Sequence, residues 1–165
     1  MNIGDFVHAV TITDRTGQIL FNAIFNSHRF DENATDVDLL AIQMQIHSAL
    51  DTLHKNMLKV RSGNMPADKN SKANVPSING YFTGTLSAVD NTRVYGFCTN
   101  SQLHFVVCTT ESQHITDTRM VELMHSLQNL VVRTTSNPFY IPGMPLMSEK
   151  FMQDITKIIA IPTTL

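Results

Sequence analysis

Tryptophan is absent from this chain, cysteine occurs only twice, and no block of lysine and arginine stands anywhere in its 165 residues. Each absence excludes something. Twelve basic residues against 14 acidic ones leave a net charge of −2, so binding to nucleic acid or to an anionic membrane through a basic patch is not expected. No apolar run approaches the roughly 18 residues of a membrane span. The opening MNIGDFVHAV lacks a charged region followed by a long apolar core, so no signal peptide is expected. Met1-Asn2 lacks the glycine for N-myristoylation, and the closing IPTTL lacks a cysteine for prenylation. A cytosolic protein is the expectation. GxSxG, P-loop and GxGxxG motifs are missing too.

Charged residues make up only 16% of the chain and apolar ones 42%, a lightly charged composition that suggests part of the surface is covered by a partner. The length suits one domain with a single buried core.

The residues that are present order themselves clearly. Phe6–Thr13 and Gln18–Phe25 read as strands, joined at Asp14-Arg15-Thr16-Gly17, where Gly17 can take a positive φ. Asn26–Thr35 is a polar loop. From Asp36, a candidate cap, to about Val60, the positions Leu39, Ile42, Ile46, Leu50, Leu53, Met57 and Val60 recur at helical spacing. A second stripe on the same helix, Met44, His47, Asp51, His54 and Leu58, mixes apolar with ionisable groups. Arg61–Ser77 is rich in Ser, Asn, Lys, Gly and Pro and predicts a mobile insertion without regular structure.

Three further strands follow, Ile78–Ala88, Arg93–Thr99 and Gln102–Thr109, with turns at Asp90-Asn91 and Asn100-Ser101. A helix capped by Thr116 or Asp117 carries Met120, Val121, Leu123, Met124, Leu127, Leu130 and Val131 on one face. Pro138, Pro142 and Pro145 stiffen a loop before a last helix, capped by Ser148, that carries Phe151, Met152, Ile155, Ile158 and Ile159. The order is ββαβββαα. Short connections between consecutive strands predict a five-stranded antiparallel sheet in an α+β fold, and strands apolar on both sides predict helices on both faces.

A two-residue turn at Asn100-Ser101 would set Cys98 opposite Leu103, and would put Cys98 and His104 on opposite faces of the sheet. A hydrolase set of Cys98, His104 and Asp117 is disfavoured on that ground. By alternation Cys108 would lie on the other face from Cys98, so no disulfide is expected, and both cysteines read as small buried hydrophobes. His47 and His54 lie about two turns apart, too far for a metal pair on one helix, so neither a metal nor a cofactor is expected.

The run VYGFCTNSQLHFVV, the NPFY loop with its following Pro-Gly, the SEKFMQDI helix and the earlier HSALD together resemble the sedlin family of TRAPP (transport protein particle) subunits. The resemblance spans the first strand to about Ile159 and is strongest from Gly80 to Ile155. It implies a longin-like (SNARE-like) domain, with the sheet between one helix and two. It also implies a non-enzymatic adaptor in a vesicle-tethering complex of ER–Golgi and Golgi traffic. Such an adaptor would touch other TRAPP small subunits, act only indirectly on a Rab-type GTPase, and reach Golgi membranes through the complex without inserting directly. Alternatives are a longin-type SNARE, disfavoured because no heptad segment follows Ile159, a GTPase-regulator binding module, and more remotely a Cys-dependent hydrolase.

Asp51 matches the acid of the family's Leu-Asp pair, so the resemblance and the mixed stripe point to a partner interface at Met44, His47, Asp51, His54 and Leu58, with exposed parts of the second helix and the proline-rich loop as further candidate contacts. A solvated acid with histidine neighbours is the plainer alternative. Asn137, Pro138, Phe139 and Tyr140 read as a structural turn, with Asn137 bonding the backbone and both aromatic rings packing, rather than as a sorting signal. Asn33-Ala34-Thr35 fits a glycosylation pattern that has no role in the cytosol.

Overall fold

The computed structural model describes residues 6–25, 36–62, 75–77, 80–89 and 91–160. The Asn26–Thr35 loop, the glycosylation pattern at Asn33 and most of the expected insertion lie outside them. The elements run β1 (Val7–Thr13), β2 (Ile19–Ile24), α1 (Asp36–Arg61), β3 (Val75–Ser77), β4 (Gly80–Val89), β5 (Thr92–Thr99), β6 (His104–Thr110), α2 (Asp117–Thr135) and α3 (Glu149–Ala160). The five expected strands form one antiparallel sheet in the order β2-β1-β6-β5-β4. The three residues of β3 extend it at the far edge, pairing Val75 with Phe82 and Ser77 with Gly80. The tail of the segment read as structureless is therefore a strand.

Alternation along the strands divides the apolar residues between two layers. On one face Val10, Ile12, Phe21, Phe82, Tyr95, Phe97, Phe105 and Val107 meet the buried sides of α2 and α3. On the other, Ala9, Val94, Cys98, Val106 and Cys108 meet Ile42, Ile46, Ala49, Leu53 and Met57 of α1. One helix covers one face and two cover the other, the longin-like arrangement. Gly96, on the α1 side, is glycine because Thr83 and Leu86 lie across it: a Cβ there would stand 2.5 Å from Leu86 Cδ1.

Local chemistry explains the element ends. Asp14 Oδ1 accepts from the Thr16 and Gln18 backbone N–H groups and from the Thr16 hydroxyl, and Gly17 sits at φ +85. Thr116 caps α2, its hydroxyl accepting from Arg119 N. Ser148 Oγ accepts from Phe151 N and caps α3. Val89 pairs with Thr92, and Asn91 takes a left-handed φ of 64.

The β5–β6 turn departs from expectation. Gln102 N donates to Thr99 O, Thr99 N donates to Leu103 O, and Gln102 adopts φ 67. This is a three-residue connection, a turn followed by one left-handed residue, instead of the two-residue turn at Asn100-Ser101. The extra residue shifts the register by one, so Cys98 pairs with His104, not with Leu103. Cys98, His104 and Cys108 consequently share the α1 face, which corrects the expected separation of Cys98 from both His104 and Cys108. A disulfide is still disfavoured, now because Cys108 pairs with Val94, four residues along β5 from Cys98. Neither cysteine is in a disulfide, and both are buried.

Candidate functional site

Helix α1 has two opposed faces. Ile42, Ile46, Ala49, Leu53 and Met57 are buried against the sheet. Leu39 and Leu50, expected beside them, are half-buried, and the Val60 side chain lies outside the described residues. The outer face carries Met44, His47, Asp51, His54 and Leu58, all exposed, with Met44 at 65% and Leu58 at 52%. Their steps of three and four residues keep them in one row along the helix. Leu40, 56% exposed, extends the row by one turn. Sequence reading overlooked it because neighbouring Leu39 was given the inward role. The alternating four-three spacing from 40 to 58 was the signal that reaches it.

Beside the row, an open cleft of about 370 Å³ separates α1 from the sheet. Its walls are His47, Leu50, Asp51 and His54 on α1, Thr13, Thr16 and Gly17 at the β1–β2 turn, and His104 on β6. The His54 and His104 rings approach edge to face with centroids 6.2 Å apart. The structure thus gathers the three ionisable members of the predicted set at one cleft and adds residues from two distant strands. No local pattern links Thr13 or His104 to α1; only the sheet order does.

The catalytic alternative loses a different support from the one expected. Cys98 and His104 are cross-strand neighbours on one face, but Asp117 is exposed in the first turn of α2, which packs on the opposite face. Cys98 is 2% exposed and its thiol donates to Thr99 O at 3.5 Å. Cys108 is pushed up to about 12 by burial, which keeps it a thiol. Among the described residues no three His, Cys, Asp or Glu side chains converge as a metal site.

At Asn137–Tyr140 the chain makes a hydrogen-bonded turn. Asn137 Oδ1 accepts from Phe139 N at 3.0 Å, Tyr140 N donates to Asn137 O, and the Tyr140 ring packs against the core. Phe139 is the exception. It was expected to pack, yet it is 92% exposed, because the tight turn at Asn137 sends adjacent side chains to opposite sides and only one meets the core.

Comparison with known proteins agrees with this architecture. The family model described as Sedlin matches residues 12–160. The trafficking protein particle complex subunit 2-like protein of Dictyostelium discoideum is 29% identical over 131 residues, which is 79% of this chain and 83% of that protein. The proteins of the same name from Xenopus tropicalis and Rattus norvegicus are 31% and 30% identical over 78 residues, 47% of this chain and 56% of each relative.

Proposed function

This chain belongs to the sedlin family, and from that premise we propose that it is a non-enzymatic adaptor subunit of a TRAPP-type vesicle-tethering complex, docking a neighbouring subunit on the outer face of α1. The observation that carries the reading is the exposed row Leu40, Met44, His47, Asp51, His54 and Leu58 on a helix whose other face buries Ile42, Ile46, Ala49, Leu53 and Met57 against the sheet. Apolar side chains at both ends of the row supply area to bury. The carboxylate and imidazoles between them supply directional contacts that fix register. The relatives' names, which are those of trafficking-complex subunits, support the same role. In this reading the chain works by binding, and its effect on a Rab-type GTPase passes through the assembled complex at Golgi membranes.

The test is co-purification of tagged protein with its neighbours. Asp51→Tyr and Met44→Lys should each lower partner recovery at least tenfold, about 1.4 kcal/mol, with an unchanged circular dichroism spectrum, because both positions are exposed. Full recovery of partners by both variants overturns the assignment. Release of nucleotide from a Rab-type GTPase by the chain alone would overturn the non-enzymatic part.

A further inference from the structure

Against the expectation from composition and family resemblance that the chain makes no direct membrane contact, we infer that the loop between α2 and α3 is a shallow membrane-contact wedge that touches the headgroup layer of an anionic bilayer. From Thr134 to Ser148 the chain holds no Asp, Glu, Lys, Arg or His. Within that stretch Phe139 is 92% exposed, Met147 73%, Ile141 64% and Met144 52%. Four large apolar side chains on one short loop exceed the scattered exposure that a soluble surface ordinarily shows.

The exposure is built in. Pro142 and Gly143, the latter at φ +86, form a turn closed by Met144 N donating to Ile141 O. The Tyr140 hydroxyl donates to Met144 O at 2.8 Å. Leu146 is buried and its N–H donates to Leu20 O at 2.7 Å, while Gln18 Nε2 donates to Gly143 O. A loop pinned to β2 on one side and to its own turns on the other cannot fold its apolar tips inward.

Charge at the base of the loop selects the occupant. Arg133 ends α2 and Lys150 begins α3, and both line a depression of about 280 Å³ together with Asn137, Thr134 and Ser148. Neither cation has an ion pair among the described residues. Of the nearby acids, Asp154 lines the same depression and is bridged to Lys157 at 3.5 Å, while Glu149 occupies the first turn of α3. Arg15 is exposed on the turn whose Gln18 holds the loop, next to the Asp14 carboxylate. An uncharged apolar tip with cations one layer behind it matches the depth profile of a bilayer surface, hydrocarbon boundary first and phosphate next. A protein partner would have to supply acids at the base and an apolar groove for a projecting tip.

The absence of tryptophan makes the test direct. Phe139→Trp gives the full-length chain a single indole. Its emission should shift to the blue on vesicles of phosphatidylcholine with roughly a third phosphatidylserine, and less so on phosphatidylcholine alone. Met44→Trp, on the far side of the sheet, should not shift. In vesicle flotation the pair Phe139→Asp with Ile141→Asp should abolish binding, and Arg133→Gln or Lys150→Gln should each weaken it about fivefold. Three results would each overturn the inference: no indole shift, flotation unchanged by the loop pair, or loss of a partner subunit by the loop pair with no vesicle binding by the unmodified chain. Met44→Lys should float normally while losing partners, so the wedge and the adaptor reading fail separately.

Discussion

Single residues here show how far side-chain identity alone carries. Cys98 and Cys108 were read as buried hydrophobes, and both are buried. Burial withholds water from a thiolate, so Cys108 is pushed up to about 12 from 9.0. In the unfolded chain it ionises first, so the contribution of Cys108 to folding stability should be constant below pH 9.0 and fall as pH rises from there towards about 12. Denaturant titrations across that range check the sign. At neutral pH neither cysteine should react with a thiol reagent in the native state, and both should react once the chain is unfolded. Phe139 and Tyr140 mark the other limit. They are adjacent aromatics of similar apolar size, and nothing in their identities says that one joins the core while its neighbour stands in solvent.

Among the elements, the helices were the most legible and the hairpin turn the least. Apolar residues spaced three and four apart define the buried sides of α2 and α3 because a helix repeats every 3.6 residues wherever it is placed. The expected caps Thr116 and Ser148 cap as read. The β5–β6 connection was off by one residue because Thr99, Asn100, Ser101 and Gln102 all tolerate turns, and composition does not count how many of them the turn consumes. Gln102 pays for the longer turn with a left-handed φ of 67. Gln102→Gly should remove that strain and raise stability by about 1 kcal/mol, read as a higher urea midpoint at unchanged slope. A lower midpoint would show that the Gln102 side chain contributes more than its backbone costs.

The whole molecule is one sheet shared by two apolar layers, which ties its stability together. Phe21 of β2 and Phe151 of α3 meet edge to face with centroids 5.2 Å apart, and both are almost fully buried. Phe151→Ala should cost about 3–5 kcal/mol through lost burial and the cavity left behind. Because α1 rests on the other face of the same strands, near-ultraviolet and far-ultraviolet melts should still coincide at the lower temperature. Separate transitions would mean that the two layers unfold independently. The same arrangement sorts the surfaces: α1 turns its mixed row outward on one side, and the α2–α3 loop presents its apolar tip on the other.

The amino-acid order by itself determined the succession of the five main strands and three helices, the antiparallel sheet, the mixed outer row of α1 and most of the inward faces of the helices, though Met152, read as inward, is exposed and Leu39 and Leu50 are half-buried. All of these follow from periodicity and capping, which act over a few residues. Tertiary structure alone decided the hairpin register, and with it that Cys98 faces His104. It also decided which acids and histidines share the cleft with Thr13, that Val75–Ser77 closes onto β4, and that Phe139 stays out of the core. Those outcomes depend on contacts between residues far apart in the chain. Several local arrangements of similar energy compete at each of these places, and only packing against the finished sheet selects among them.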